Sequence, residues 1–333
     1  MFTDFNTPEI DRLALVIGAG LSVAYQHKFG ILPGGVIVPG LLVIVMFTSP
    51  IWGVTTLMLA LLVYWIYQQF FAQQGFKRRT PMYIMGMISL ALANLAAFIY
   101  VEMGWLTLSL DSLSSTLLPA IIAFNFVRQS IPKVAQGLAI VTCCTTLLLV
   151  LIYLCDSQWI ADHTHPIQPL ATEDVAEFKY HLVQCYIALI VGYAIYHFKQ
   201  IRAGGYMIAP VVATIFLKPI EIGIFLLGCF SIYYLTRLIS RFTLVIGLRR
   251  YLLVLWISTV FIWGSELLLA KVMPDMVLFR GSYVLVIIAM TSYVNDAILY
   301  SGKKVIYYMG LTVLISLTTL LSIKILSSAL LGG

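Results

Sequence analysis

Apolar runs separated by short polar turns recur along the whole chain, and twelve of them can be set off. They cover residues 10–27, 31–47, 51–72, 83–101, 115–127, 134–155, 180–198, 205–217, 219–239, 251–270, 281–298 and 305–328. A helix rises about 1.5 Å per residue and needs about 20 apolar residues to cross a hydrocarbon core of about 30 Å. The long runs therefore predict transmembrane helices. The second, fifth, eighth and eleventh are too short or too interrupted for ordinary spans. They predict re-entrant arms or half-helices, and the pattern alone does not choose between these.

The most interrupted run, Phe29 to Phe47, carries Pro33, Gly34, Gly35, Pro39 and Gly40. Proline removes a backbone donor and glycine loosens a helix, so a broken span is predicted here. Freed backbone groups at membrane depth are tolerated only where protein or a water-filled cavity covers them. The same device recurs at Gly204, Gly205 and Pro210, after a long helix and before Lys218-Pro-Ile-Glu221. Each instance leads through a further helix to a basic turn, Gly75-Phe-Lys-Arg-Arg79 and Gly247-Leu-Arg-Arg250. Two tandem six-helix repeats follow, over residues 1–155 and 180–333, joined by an acidic loop over 156–179.

A weaker repeat lies inside each copy. Ser114 to Ile122, with Pro119, echoes Gly34 to Leu42, with Pro39; a fourth version has Ile287 in place of the proline and is expected to be structural. Each six-helix repeat then divides into two three-helix units. Three is odd, so successive units face opposite ways across the membrane, and broken helices of such inverted repeats meet near the midplane.

Composition agrees with this pattern. The 333-residue chain is 61% hydrophobic and 10% charged, whereas soluble domains are roughly 45–50% apolar and roughly 25% charged. A polytopic all-α membrane protein is predicted, with no sizeable soluble domain. The amino-terminal stretch is acidic and lacks a basic leader, so the first helix is expected to be retained. The net charge of +6 reflects topology: with both termini extracytoplasmic, 14 of the 20 basic residues fall in cytoplasmic turns. These are Lys28, Lys77, Arg78, Arg79, Arg128, Lys133, Lys199, Arg202, Arg237, Arg241, Arg249, Arg250, Lys303 and Lys304, and the positive-inside rule favours that orientation. The five cysteines lie in or beside apolar runs without metal or disulfide spacing.

The order Gly30-Ile-Leu-Pro-Gly-Gly-Val-Ile-Val-Pro-Gly40, with Pro119-Ala-Ile-Ile-Ala-Phe-Asn125 and the turn Lys77-Arg78-Arg79, resembles the PgsC/CapC family. Those proteins are small membrane subunits of bacterial poly-γ-glutamate (capsule) synthases. The resemblance covers 10–155 well and 180–328 more loosely, where Ala203-Gly-Gly-Tyr206 replaces the Ile-Leu-Pro-Gly-Gly form. Family members are usually one such unit long, so the chain is similar to a fused duplicate. The resemblance implies a subunit of the bacterial cytoplasmic membrane. It implies a cytosolic ATP-dependent amide ligase and further membrane subunits as partners, and an anionic polymer as product. It implies no catalytic residue.

Candidate residues carry two readings each. Lys77, Arg78, Arg79, Arg249 and Arg250 either set topology and touch lipid headgroups, or dock the ligase and guide a polyanion. Glu102 and Glu266 either lie at the interface beside Trp105 and Trp263, or line a vestibule and relay protons. Asn125 and Asn295 can satisfy freed carbonyls, and Asp296 can pair with a nearby cation. The broken-helix set Pro33, Gly34, Gly35, Pro39, Gly40, Pro119, Asn125, Gly204, Gly205 and Pro210 is expected to line a path. His27 and Lys28 read as an anchor, and His163 and His165 lack the further ligands a metal needs. No phosphate-cradling loop, H-E-x-x-H or nucleophile elbow is present, so no cofactor is expected and ligase chemistry is assigned to a partner. A secondary transporter for a small anionic solute and a structural scaffold remain the alternatives.

Overall fold

The structure, a computed structural model, describes all residues except 1–7, 76–79, 104–109, 156–172, 202–208, 210, 214, 216–217, 273–278, 280–282 and 332–333. The chain forms two compact units, Met1–Leu170 and Ala171–Gly333. In the first unit the helices are α1 (Pro8–Phe29), α2 (Val38–Thr48), α3 (Pro50–Phe70), α4 (Thr80–Glu102), α5 (Leu110–Arg128) and α6 (Ile131–Cys155). In the second they are α7 (Glu173–Lys199), α8 (Pro219–Phe242), α9 (Leu248–Val272), α10 (Tyr283–Tyr300) and α11 (Gly302–Leu331). Ala209, residues 211–213 and Ile215 are also helical. The described residues contain no strand. Among the described residues, seven helices, α3, α4, α6 and α8 to α11, are long and apolar enough to cross a membrane.

Local chemistry explains the starts. Ser49 caps α3 by accepting from the Trp52 N–H at 3.4 Å, and Pro50 stands where a missing donor costs nothing. Lys218 and Pro219 hold the same places before α8, with the cap residue again extended. Left-handed residues at the connections between helices recur too. Gly30 and Gln200, Gly75 and Gly247, and Ser130 and Ser301 all have positive φ and stand 170, 172 and 171 positions apart. A left-handed residue turns the chain out of the direction it was following, so the duplication is written into the backbone.

Packing repeats as well. The pairs α3–α4, α3–α5, α4–α5, α5–α6 and α1–α6 of the first unit reappear as α8–α9, α8–α10, α9–α10, α10–α11 and α7–α11. Within the first unit, exchanging α1, α2 and α3 with α4, α5 and α6 leaves the packing scheme unchanged. α1 packs on α2 as α4 does on α5, α2 on α3 as α5 on α6, α3 on α5 as α6 on α2, and α1 on α6 as α4 on α3.

Two expectations are corrected. The fifth run, read as a break over 115–127, is the continuous helix α5, which passes through Pro119. Its first turns, Leu-Asp-Ser-Leu-Ser, are too polar to register as an apolar run yet continue the helix. Near the proline, the Thr116 carbonyl accepts a hydrogen bond from Ser89 Oγ at 2.8 Å, so α4 helps satisfy the backbone at the disturbed turn. The eleventh run is the uninterrupted helix α10, long enough to span. Ile287 keeps its backbone donor there, which removes the cause of a break.

Candidate functional site: the broken segment after α1

The second run is broken as expected. α1 ends at Phe29, and residues 30–37 are non-helical, with Gly30, Gly34 and Gly35 at φ of +70°, +71° and +138°. An L-residue is strained in that region, so glycine is required at Gly34 and Gly35 inside the protein. The segment then doubles back along α1. A Cβ placed on Gly18 would lie 2.6 Å from the Gly40 Cα and N atoms. Gly18 precedes Phe29 by three helical turns, so α2 begins roughly 16 Å back along α1.

Contacts fix the direction of each helix. Leu32 N–H donates to Gln129 Oε1 (3.0 Å) at the end of α5, while the Tyr64 and Phe126 rings meet edge-on at 6.0 Å. Trp52 of α3 meets Tyr100 of α4. Thus the ends of α1, α3 and α5 share one side, and the ends of α2 and α4 the other. α2 is a half-helix that starts near mid-depth and runs antiparallel to α1. Its residues Val38 to Val45 are all buried.

Asn125 holds the break in place. Its Nδ2 donates to the Gly34 carbonyl at 2.7 Å and to the Ile121 carbonyl of its own helix at 2.8 Å. Pro33, Gly34, Gly35, Pro39, Gly40, Pro119 and Asn125 are all buried, and a Cβ on Gly35 would stand 3.1 Å from Ile121 Cγ2. Replacing Asn125 with leucine leaves the Gly34 carbonyl buried without its donor. A loss of about 1–3 kcal/mol is expected, visible as a lower thermal unfolding midpoint of the purified protein. An unchanged midpoint would show that the contact carries no energy.

The second unit differs. Arg250 Nε donates to Asn295 Oδ1 at 3.1 Å, and the Asp296 carboxylate attracts the same guanidinium. Both Asn295 and Asp296 are buried in α10. The sequence pairs Arg249 and Arg250 as outward contacts, but only Arg249 is exposed; Arg250 is turned onto α10. It is the cation that Asp296 was expected to find. Counted from the helix-ending serines, Ser130 and Ser301, Asp296 stands where the first unit has Asn125. In the same position, one copy uses an amide for a carbonyl and the other a carboxylate for an arginine.

Glu102 is exposed at the end of α4, and Glu266 is half-buried in α9. Lys28 and His27 are exposed at the end of α1, with the Lys28 ammonium 5.4 Å from the Phe29 ring centre. Lys77, Arg78, Arg79, Gly204, Gly205, Pro210, His163 and His165 lie outside the described residues. The sequence reading missed Gly18, Gln129 and Ser89. It also missed that Glu9, Asp11 and Arg12 in the first turn of α1 are buried. The run Gly18-Ala-Gly20 was the available signal for a close helix approach; Gln129 and Ser89 carry none.

The geometry repeats a membrane unit twice, and the comparison with known families does likewise. The capsule biosynthesis CapC family model matches residues 17–135 and again residues 187–294. The chain belongs to the CapC family. No curated relative and no solved structure matches it. The first CapC match contains the whole broken segment, with Asn125 and Gln129; the second contains Arg250 but ends just before Asn295 and Asp296. The CapC family connects the protein to capsule synthesis, and its several apolar helices make it a multi-pass membrane protein.

Proposed function

We propose that this protein is the integral membrane subunit of a complex that makes and exports a poly-γ-glutamate-type capsule polymer. A cytosolic ATP-dependent amide ligase supplies the bond-forming chemistry, and this chain is not itself an enzyme. The observation that carries the reading is the CapC match on both halves of the chain. The exchange symmetry of the first unit's packing supports two inverted three-helix units, the architecture in which half-helices border a path. Exposed Lys28 and Arg128 share a side with the ends of α1 and α5. That charge supports the cytoplasmic membrane with the termini outward, and a ligase-facing side for the basic turns.

Purification of the full-length protein from its native host tests the reading. A stoichiometric ATP-dependent ligase is expected to accompany it, and deletion of the gene is expected to abolish capsular polymer. A secondary transporter of a small anionic solute is the second reading, favoured by the half-helix α2. Solute uptake by the isolated protein in liposomes, without an associated ligase, would establish the transporter instead. Loss of both, with other subunits still assembled, would leave a scaffold.

A further inference from the structure

The helix α2 begins inside the protein, and its beginning is unusually bare. Ile37 at the cap makes no side-chain hydrogen bond, and Pro39 supplies no donor. The first N–H groups of any helix lack partners within the helix and carry the positive end of its dipole. Here they are buried: Ile37 is 8% exposed and Val38 0%. The register of α1 brings a second polar group to the same level. Ser22 is fully buried, and its Oγ has no hydrogen-bond partner among the described residues. It lies one turn beyond Gly18 on the same face of α1. That face meets Gly40 and Pro39, since a Cβ on Gly18 would touch both. Because α2 runs antiparallel to α1, one turn further along α1 is the level of residues 36–38.

We propose that the start of α2 and the Ser22 hydroxyl form a seat for one carboxylate group. The inference rests on the proposed polymer function only for the identity of the acid. A hydroxyl donor, orphan N–H groups and a helix N-terminus in a low-dielectric setting together suit a small planar anion. Membrane half-helices present their N-termini to anionic substrate groups in this manner. Asn125 fixes the loop that carries Gly34 and Gly35 and leads into α2.

The two copies differ at this point, which makes the proposal quantitative. The buried positions of α1 from Ala14 onward, namely Ala14, Leu15, Gly18, Ala19 and Ser22, correspond 170 residues later in α7 to Gln184, Cys185, Ala188, Leu189 and Gly192, all buried. The second copy thus has glycine where the first has the serine. One seat per chain is therefore expected, not two. Gly192 also shows that the equivalent helix of the second copy forms without the hydroxyl.

The test is calorimetric titration of the full-length protein in lipid nanodiscs with γ-linked triglutamate, free L-glutamate, neutral γ-linked triglutamine and inorganic phosphate. One equivalent of a carboxylate probe per chain is expected. Binding should fall at least tenfold in Ser22→Ala and Ser22→Gly, with unchanged thermal midpoints, and triglutamine should not bind. Tighter binding of triglutamate identifies a polymer segment, and tighter binding of glutamate a free acid; both support the seat. Unchanged affinity in the two variants, two equivalents per chain, or equal binding of phosphate would overturn it. So would no binding of either carboxylate, an outcome that leaves the polymer role to the gene deletion and ligase co-purification.

Discussion

Gly40→Ala is expected to destabilise the first unit by about 3 kcal/mol, near the upper end of what an extra methyl costs in a close-packed interior. The added Cβ would lie 2.6 Å from the Ala14 carbonyl oxygen and 2.8 Å from the Leu15 Cα. Both are backbone atoms, so no side chain can swing aside, and α1 and α2 must part. Small residues at helix crossings in membranes exist to permit this approach, because packing and hydrogen bonding drive association where solvent does not. Separation would also displace residues 30–37, which are held between α1 and the Asn125 and Gln129 side chains. Gly264→Ala in α9 is the control. Nothing lies within 4 Å of its added Cβ, so it should be neutral or slightly stabilising through helix propensity. Thermal unfolding of the purified variants decides: equal midpoints for the two would remove the close-packing argument.

The second large effect concerns neighbouring arginines. Arg250→Ala is expected to cost about 3 kcal/mol, because a buried carboxylate loses the cation beside it and Asn295 loses its donor. Arg249→Ala, one residue away and exposed, is expected to change stability by less than about 0.5 kcal/mol. If the proposed ligase contact exists, the Arg249 variant should instead weaken co-purification of that partner while leaving the midpoint alone. Reading both variants by thermal midpoint and by partner recovery separates folding from docking. Similar losses of stability in the two would contradict the inward placement of Arg250. The double variant Arg250→Ala, Asp296→Asn should regain part of the loss, since it removes the uncompensated charge.

Asn125 and Asp296 mark how the duplicated halves diverged. Each stands five positions before a helix-ending serine with positive φ, and each reaches a different neighbour. The amide answers a backbone carbonyl exposed by the Gly34–Gly35 break. The carboxylate answers a guanidinium from α9. Tandem copies in one chain can specialise in this way because each keeps its own packing core. In the first unit part of that core is Val63 and Tyr67 of α3, Met85 of α4, and Ala120 and Ala123 of α5.

Much of this was legible in the linear chain. The membrane class follows from apolar content, and the duplication from the recurrence of glycine, proline and basic turns. The break after α1 follows from Gly34, Gly35 and Pro39, because those residue types change what the backbone itself can do. A proline alone was not sufficient evidence. Pro119 sits in an unbroken helix, and Ser89 of the preceding helix supplies a hydrogen bond at that turn.

What the order of residues could not decide is which groups meet. Arg249 and Arg250 are the same residue type side by side, yet a helix turns about 100° per residue, so one faces outward and the other α10. Gly18-Ala-Gly20 signals that some helix can come close, but that the partner is Gly40, 22 residues further along, appears only when the chain is folded. Local backbone preference is encoded residue by residue, and the sequence alone determined the long helices, the break after α1 and the repeat, while the continuity of α5 and α10 appeared only in the fold. Pairing across helices depends on rotation, direction and depth, and these arise only when apolar faces pack. The tertiary structure therefore decided the partners of Asn125, Arg250 and Gly40.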